Sequence, residues 1–182
     1  RVRGDEPSRY GRPEACTVVI GGCSGVCVSS EGHILTAGHC KCERVEDVVW
    51  PDGRRVVANK VYDDGKAEGC VVFDCAGDGY PYVDVATSFP QPRDKVFSWG
   101  YPVVQSPNGP SRPLSRGEGT LLRGEEFTDS ETGDKFLVNL LSNHFGAPGW
   151  SGGPLFNEQA QVIGVCHGAT APMIPLMPKH SI

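Results

Sequence analysis

The sequence predicts an all-β fold, and three observations point to it. Short runs of β-branched, aromatic and other apolar residues follow one another from residue 15 onward. Turn formers separate them, among them PDG (51–53), DDG (63–65), GDG (77–79) and PNG (107–109). No segment carries a long apolar repeat of 3.6-residue period, so no helix would have a face to bury. Many short strands of this kind build a sandwich or closed barrels.

Residues 1–14 (RVRGDEPSRYGRPE) are basic, broken by Pro and Gly, and without periodicity, which reads as a flexible arm or a strapped-down extension. The expected strands of the first half are ACTVVI (15–20), GVCV (25–28), HILT (33–36), RVVANKVY (55–62) and CVVF (70–73). These lie within residues 15–88. The stretch SFPQPRD (88–94) carries two prolines, which cannot donate to a strand ladder, so residues 89–94 read as a connection between two halves. Residues 95–182 supply the second set: KVFSWG (95–100), GTLL (119–122), KFLVNLL (135–141), GPLF (153–156) and QVIGVC (161–166). SPNGPSRP (106–113) reads as an exposed loop between two of them.

A chain of 182 residues with net charge −5 lacks the basic face that phosphate binding needs, so nucleic acid is not expected as a partner. No apolar stretch approaches the roughly 20 residues of a membrane span. Nothing in the sequence calls for a cofactor. The eight cysteines suit an oxidised, extracytoplasmic or secreted protein. They allow on the order of a hundred pairings, and buried free thiols or a zinc held by Cys40, Cys42, Cys70 and Cys75 are the alternatives.

Chemistry concentrates in Gly149-Trp150-Ser151-Gly152-Gly153-Pro154-Leu155. Glycines around a serine permit a tight turn that exposes the hydroxyl and aims successive amides at one point, as an oxyanion hole requires. A serine nucleophile needs a base, and Leu35-Thr36-Ala37-Gly38-His39-Cys40 sets His39 among small residues at the end of a β-type run. Its imidazole needs a carboxylate to orient it. Asp84, in Tyr82-Val83-Asp84-Val85-Ala86, lies in an apolar setting where an unpartnered carboxylate would be costly to bury. Asp74, in Val72-Phe73-Asp74-Cys75, has a similar setting and is the second candidate.

TAGHC (36–40), DVA (84–86) and GWSGGPL (149–155), in that order, resemble the chymotrypsin-fold serine proteases, and most of all the HtrA-type and bacterial trypsin-like peptidases without zymogen activation. SGVCVSSEGHILTAGH (24–39), WPDGRRVVA (50–58), SWGYP (98–102) and SGGPLFNEQAQVIGV (151–165) extend the likeness over most of the chain. The resemblance implies two six-stranded antiparallel β-barrels with the active site in the cleft between them. It implies a Ser-His-Asp triad of Ser151, His39 and Asp84, with the amides of Gly149 and Ser151 as the oxyanion hole. The substrate would be a polypeptide, lined by Phe145, Pro148, Cys166, His167 and Gly168. A non-catalytic peptide-binding relative is the alternative, and a viral polyprotein-processing protease is the alternative to a bacterial extracytoplasmic enzyme.

Two departures from the digestive trypsins matter. Trp150 stands where those enzymes keep the Asp that receives a freed N-terminus, and a neutral indole cannot do so. Phe145, six residues before Ser151, replaces the acid that selects Arg or Lys. His167 is offset by one from the position of a histidine that would select Glu or Gln, and alternation would point it elsewhere. The same resemblance implies a Cys23–Cys40 disulfide, and Cys70 and Cys75 could close a small loop.

Overall fold

The computed structural model describes residues 11–40, 42–66, 69–88, 90–128, 133, 135–141 and 147–167. One helical turn, α1 (Pro13–Cys16), precedes eleven strands: β1 (Thr17–Ile20), β2 (Cys23–Cys27), β3 (His33–Ala37), β4 (Val45–Val49), β5 (Arg55–Asp63), β6 (Cys70–Asp74), β7 (Lys95–Gly100), β8 (Ser115–Thr128), β9 (Lys135–Leu141), β10 (Pro154–Phe156) and β11 (Val162–Val165). A 3-10 turn, Gly38–Cys40, follows β3. No helix among the described residues is long and apolar enough to cross a membrane.

The first six strands close into an antiparallel barrel in the order β1-β2-β3-β6-β5-β4. Closure comes from Val19 and Ile20 pairing with Val49 and Val48, which leaves neither strand as an open edge. The β1–β2 connection is the two-residue Gly21-Gly22 turn, both at positive φ, as the twist of a tight hairpin demands. Alternation sends Val18, Ile20, Ile34, Val48, Ala58, Val71 and Phe73 into the barrel, where Trp50 and Tyr80 stack. The second half forms a five-stranded antiparallel sheet, β11-β10-β7-β8-β9, one strand fewer among the described residues than the six expected. Barrel and sheet are the two halves of the expected fold.

One local expectation changes. Residues 15 and 16, expected at the start of the first strand, lie in the helical turn, because Pro13 is preset for a first helical turn and Thr17 Oγ1 donates to its carbonyl at 2.9 Å. Residues 11–14 are strapped down, with the Gly11 amide donating to Tyr82 O at 2.8 Å. Where the halves meet, Cys16, Val26, Val83, Phe156 and Val162 form a second apolar cluster. The connection between them runs along β11, with Val162 N donating to Asp84 O and Ala86 N to Val162 O, both at 2.8 Å.

Cys23 and Cys40 form a disulfide, and the other six cysteines are thiols. Cys70 and Cys75 do not pair, since they lie at opposite ends of β6. The same facts remove the zinc alternative: Cys40 is already bonded, and the remaining three are not gathered. Burial pushes the Cys16 and Cys27 thiols up to about 12 and those of Cys42 and Cys75 to about 11. At mildly alkaline pH these thiols stay protonated and inert. Mass spectrometry should therefore show little alkylation of them in the native protein, and six adducts per chain after denaturation without reductant. Phe73 is fully buried, so Phe73→Ala should cost about 3–5 kcal/mol in urea denaturation; a loss below about 1 kcal/mol would contradict this packing.

Candidate active site

The site is built where the end of β3 meets the 147–153 turn. His39 sits in the 3-10 turn after β3, held by the Gly38 amide donating to Gly69 O at 3.0 Å and by the Cys23–Cys40 disulfide on its other side. The disulfide leads directly to Ser24, which is fully buried. Its amide donates to Ser151 O at 2.8 Å and its hydroxyl to Gly149 O at 2.8 Å. The same hydroxyl accepts from Tyr101 N at 2.9 Å, and Ser24 O accepts from Thr36 Oγ1 at 2.8 Å. Ser24 thus ties the Ser151 turn to the strand that carries His39.

Two glycines allow the approach. Gly152, at φ +76°, lies so close that a Cβ there would overlap Thr36 Oγ1 and Ser24 O and stand 3.0 Å from Ala37 N. Gly149, at φ +93°, would place a Cβ 2.6 Å from Tyr101 O. Both positions combine a backbone conformation that side chains rarely adopt with no room for one. From the opposite side Arg112, carried by the 106–113 loop, donates through Nη2 to Cys23 O and Gly149 O and through Nε to Tyr101 O, each at 3.1 Å. The amides of Trp150, Gly152 and Gly153 donate to Ala147 O, Cys166 O and Trp150 O. Those of Gly149 and Ser151 make no such bond among the described residues.

Trp150 points into the second sheet. Its indole packs on Gly100, Val96 and Leu155, and its Nε1 donates to Ser98 Oγ at 2.9 Å. Ser98 Oγ lies 3.3 Å from Cys166 Sγ, and burial pushes that thiol up to about 11. The Cys166 side chain is thus turned toward Ser98. Its backbone supports the nucleophile turn, accepting from Gly152 N and donating to Gly153 O, both at 2.7 Å. Alternation then turns the exposed His167 side chain the opposite way, and its ring packs on His39 with centroids 4.1 Å apart. Pro148 is exposed beside the turn. Phe145 and Gly168 lie outside the described residues.

Asp84 is exposed rather than buried, and its carbonyl accepts from Val162 N, five residues along the chain from His167. Asp74 lies at the far end of β6, with Oδ1 accepting from Ala76 N at 2.8 Å. The reading of the sequence also passed over Ser24 and Arg112; neither belongs to a chemical motif, although Ser24 directly follows the disulfide cysteine.

A fold of two β halves with a glycine-flanked serine set against a histidine turn defines the serine peptidases of the chymotrypsin class. The family model of the trypsin-like peptidase domain matches residues 23–165, and the chain belongs to that family. No curated protein matches it in sequence. Among solved structures it is similar to the inactive form of the Rv3671c protease of M. tuberculosis, with 20% identity, 87% of this chain and 80% of that one covered, and a TM-score of 0.70. It is also similar to the MamO protease domain from Magnetospirillum magneticum (18% identity, 88% and 87% covered, TM-score 0.67). The serine endoprotease from Yersinia pestis shares 21% identity over 91% of this chain and 58% of that one, with a TM-score of 0.62. At these identities the likeness concerns the fold.

Gly152→Ala should abolish measurable peptidase activity and lower Tm, because the new methyl group must displace Thr36 or Ser24. Thermal melting and peptide turnover of the purified variant check this, and unchanged values would contradict the close approach.

Proposed function

We propose that the chain cleaves internal peptide bonds by acyl transfer from Ser151, with His39 as general base. The observation that carries this reading is the Ser24 clamp, which holds the Ser151 turn against the strand leading to His39. Ser151 Oγ attacks the scissile carbonyl while His39 accepts its proton, and His39 then donates it to the departing amine. Water reverses the sequence on the acyl-enzyme. The amides of Gly149 and Ser151, which no described backbone carbonyl engages, support an oxyanion hole worth roughly 3 kcal/mol per donor. Arg112 and Ser24 act one step back: by holding Gly149 O they fix the orientation of the peptide group between Gly149 and Trp150.

Phe145 in place of an acid supports selection against Arg and Lys and in favour of a small or apolar residue before the scissile bond. The Cys23–Cys40 disulfide supports an extracytoplasmic setting.

Treatment with a fluorophosphonate should add one adduct to the wild type by intact mass and none to Ser151→Ala. Peptide turnover by Ser151→Ala or His39→Ala should fall by about 10³-fold or more with the fold intact by circular dichroism. Turnover by the wild type should decline from about pH 8 to about pH 5 as the base is protonated. Near-normal turnover by Ser151→Ala would overturn the assignment.

A further inference from the structure

If His39 is the base, a carboxylate must orient it, and the sequence candidate Asp84 is exposed beside Val162 of β11. The chain elements beside His39 restrict the choice. Ala37 pairs with Cys70, and the Gly38 amide donates to Gly69 O, so the start of β6 runs beside the histidine turn. Residue 69 is a glycine and offers no side chain there. The space a side chain at 69 would enter is nevertheless filled. A Cβ built on Gly69 would overlap Cγ, Oδ1 and Oδ2 of Asp64. The Asp64 carboxylate reaches that spot from the end of β5, accepting from Lys66 N at 3.1 Å and from Cys70 N at 3.4 Å. Its neighbour Asp63 is engaged elsewhere, at 2.9 Å from Lys60 Nζ.

We propose that Asp64 is the positioning residue for His39, supplying from a loop the carboxylate that the strand position at Gly69 lacks. In the structure the carboxylate is held by the two backbone amides, and its bond to the imidazole is the step this inference adds. Catalytic hydrogen bonds of this kind are often long or misaligned without substrate and tighten in the reacting complex. Gly69 is not in the left-handed region, so the backbone there accepts a side chain once Asp64 is cut back. That permits a direct exchange: the carboxylate can be removed from position 64 and returned from position 69.

The inference rests on the reading of Ser151 and His39, and the test separates the two. Peptide kinetics are measured for the full chain and for Asp64→Asn, Asp64→Ala, Asp64→Ala combined with Gly69→Asp, Glu68→Gln and Asp84→Asn, beside Ser151→Ala and His39→Ala. Asp64→Asn should lower kcat by about 10³- to 10⁴-fold with KM within about threefold of wild type. The Ala/Asp double variant should recover at least about tenfold over Asp64→Ala, and Asp84→Asn should turn over normally. Recovery in the double variant is the readout that simple loss of loop structure cannot produce, and it holds even if Asp64→Asn folds poorly. Asp64→Asn within about threefold of wild type, no recovery on adding Gly69→Asp, or a comparable loss in Glu68→Gln or Asp84→Asn alone would each overturn the proposal. Persistent turnover by Ser151→Ala or His39→Ala would instead overturn the reading it rests on.

Discussion

Ser24 is the constraint on which the rest of the site depends. It is fully buried, and its amide, hydroxyl and carbonyl are all engaged: two bonds reach the Ser151 turn, one reaches Tyr101 and one Thr36. A buried polar group left without a partner costs about 1–3 kcal/mol, so these four partners are held to one arrangement. Since two of them belong to the turn of the second half and one to the strand before His39, the arrangement also sets the nucleophile against the base. The disulfide from the adjacent Cys23 to Cys40 braces the same juncture from the histidine side.

This clamp makes demands on the residues around it. Gly152 and Gly149 are glycines because backbone and Thr36 occupy the space of a side chain, not only because the turn is tight. Arg112 completes the hold on Gly149 O from a loop that looks unremarkable in the sequence. Trp150 anchors the turn from beneath, its ring in the second core and its Nε1 on Ser98. In digestive trypsins the same position depends on a newly formed N-terminus. Here the Trp150 indole, packed in the second core, anchors the turn.

The strands were legible wherever a pattern of period two met a buried face. β3, β6 and β7, each with two or three buried residues, lie within a residue or so of the runs read from the sequence. β4 was missed because Val45-Glu46-Asp47-Val48-Val49 sends only Val48 into the core, and one buried residue makes no alternation. The helical turn at Pro13–Cys16 was missed because a four-residue element has no period to display.

The sequence by itself determined the class of chemistry. Ser151 and His39 sit in local glycine-rich or small-residue settings whose purpose is visible within six or seven residues, and the order of the two motifs did the rest. Tertiary structure alone decided what depends on register and on contacts between distant segments. Whether Cys166 or His167 faces the histidine follows from strand parity at the end of β11. That the Asp64 carboxylate lies against Gly69, at the start of the strand paired with the one leading to His39, follows from contacts no motif in the sequence marks. Apolar flanks report burial only when the strand is paired on both sides. Val85 meets β11 in a single isolated bridge, and Asp84 beside it remains in water.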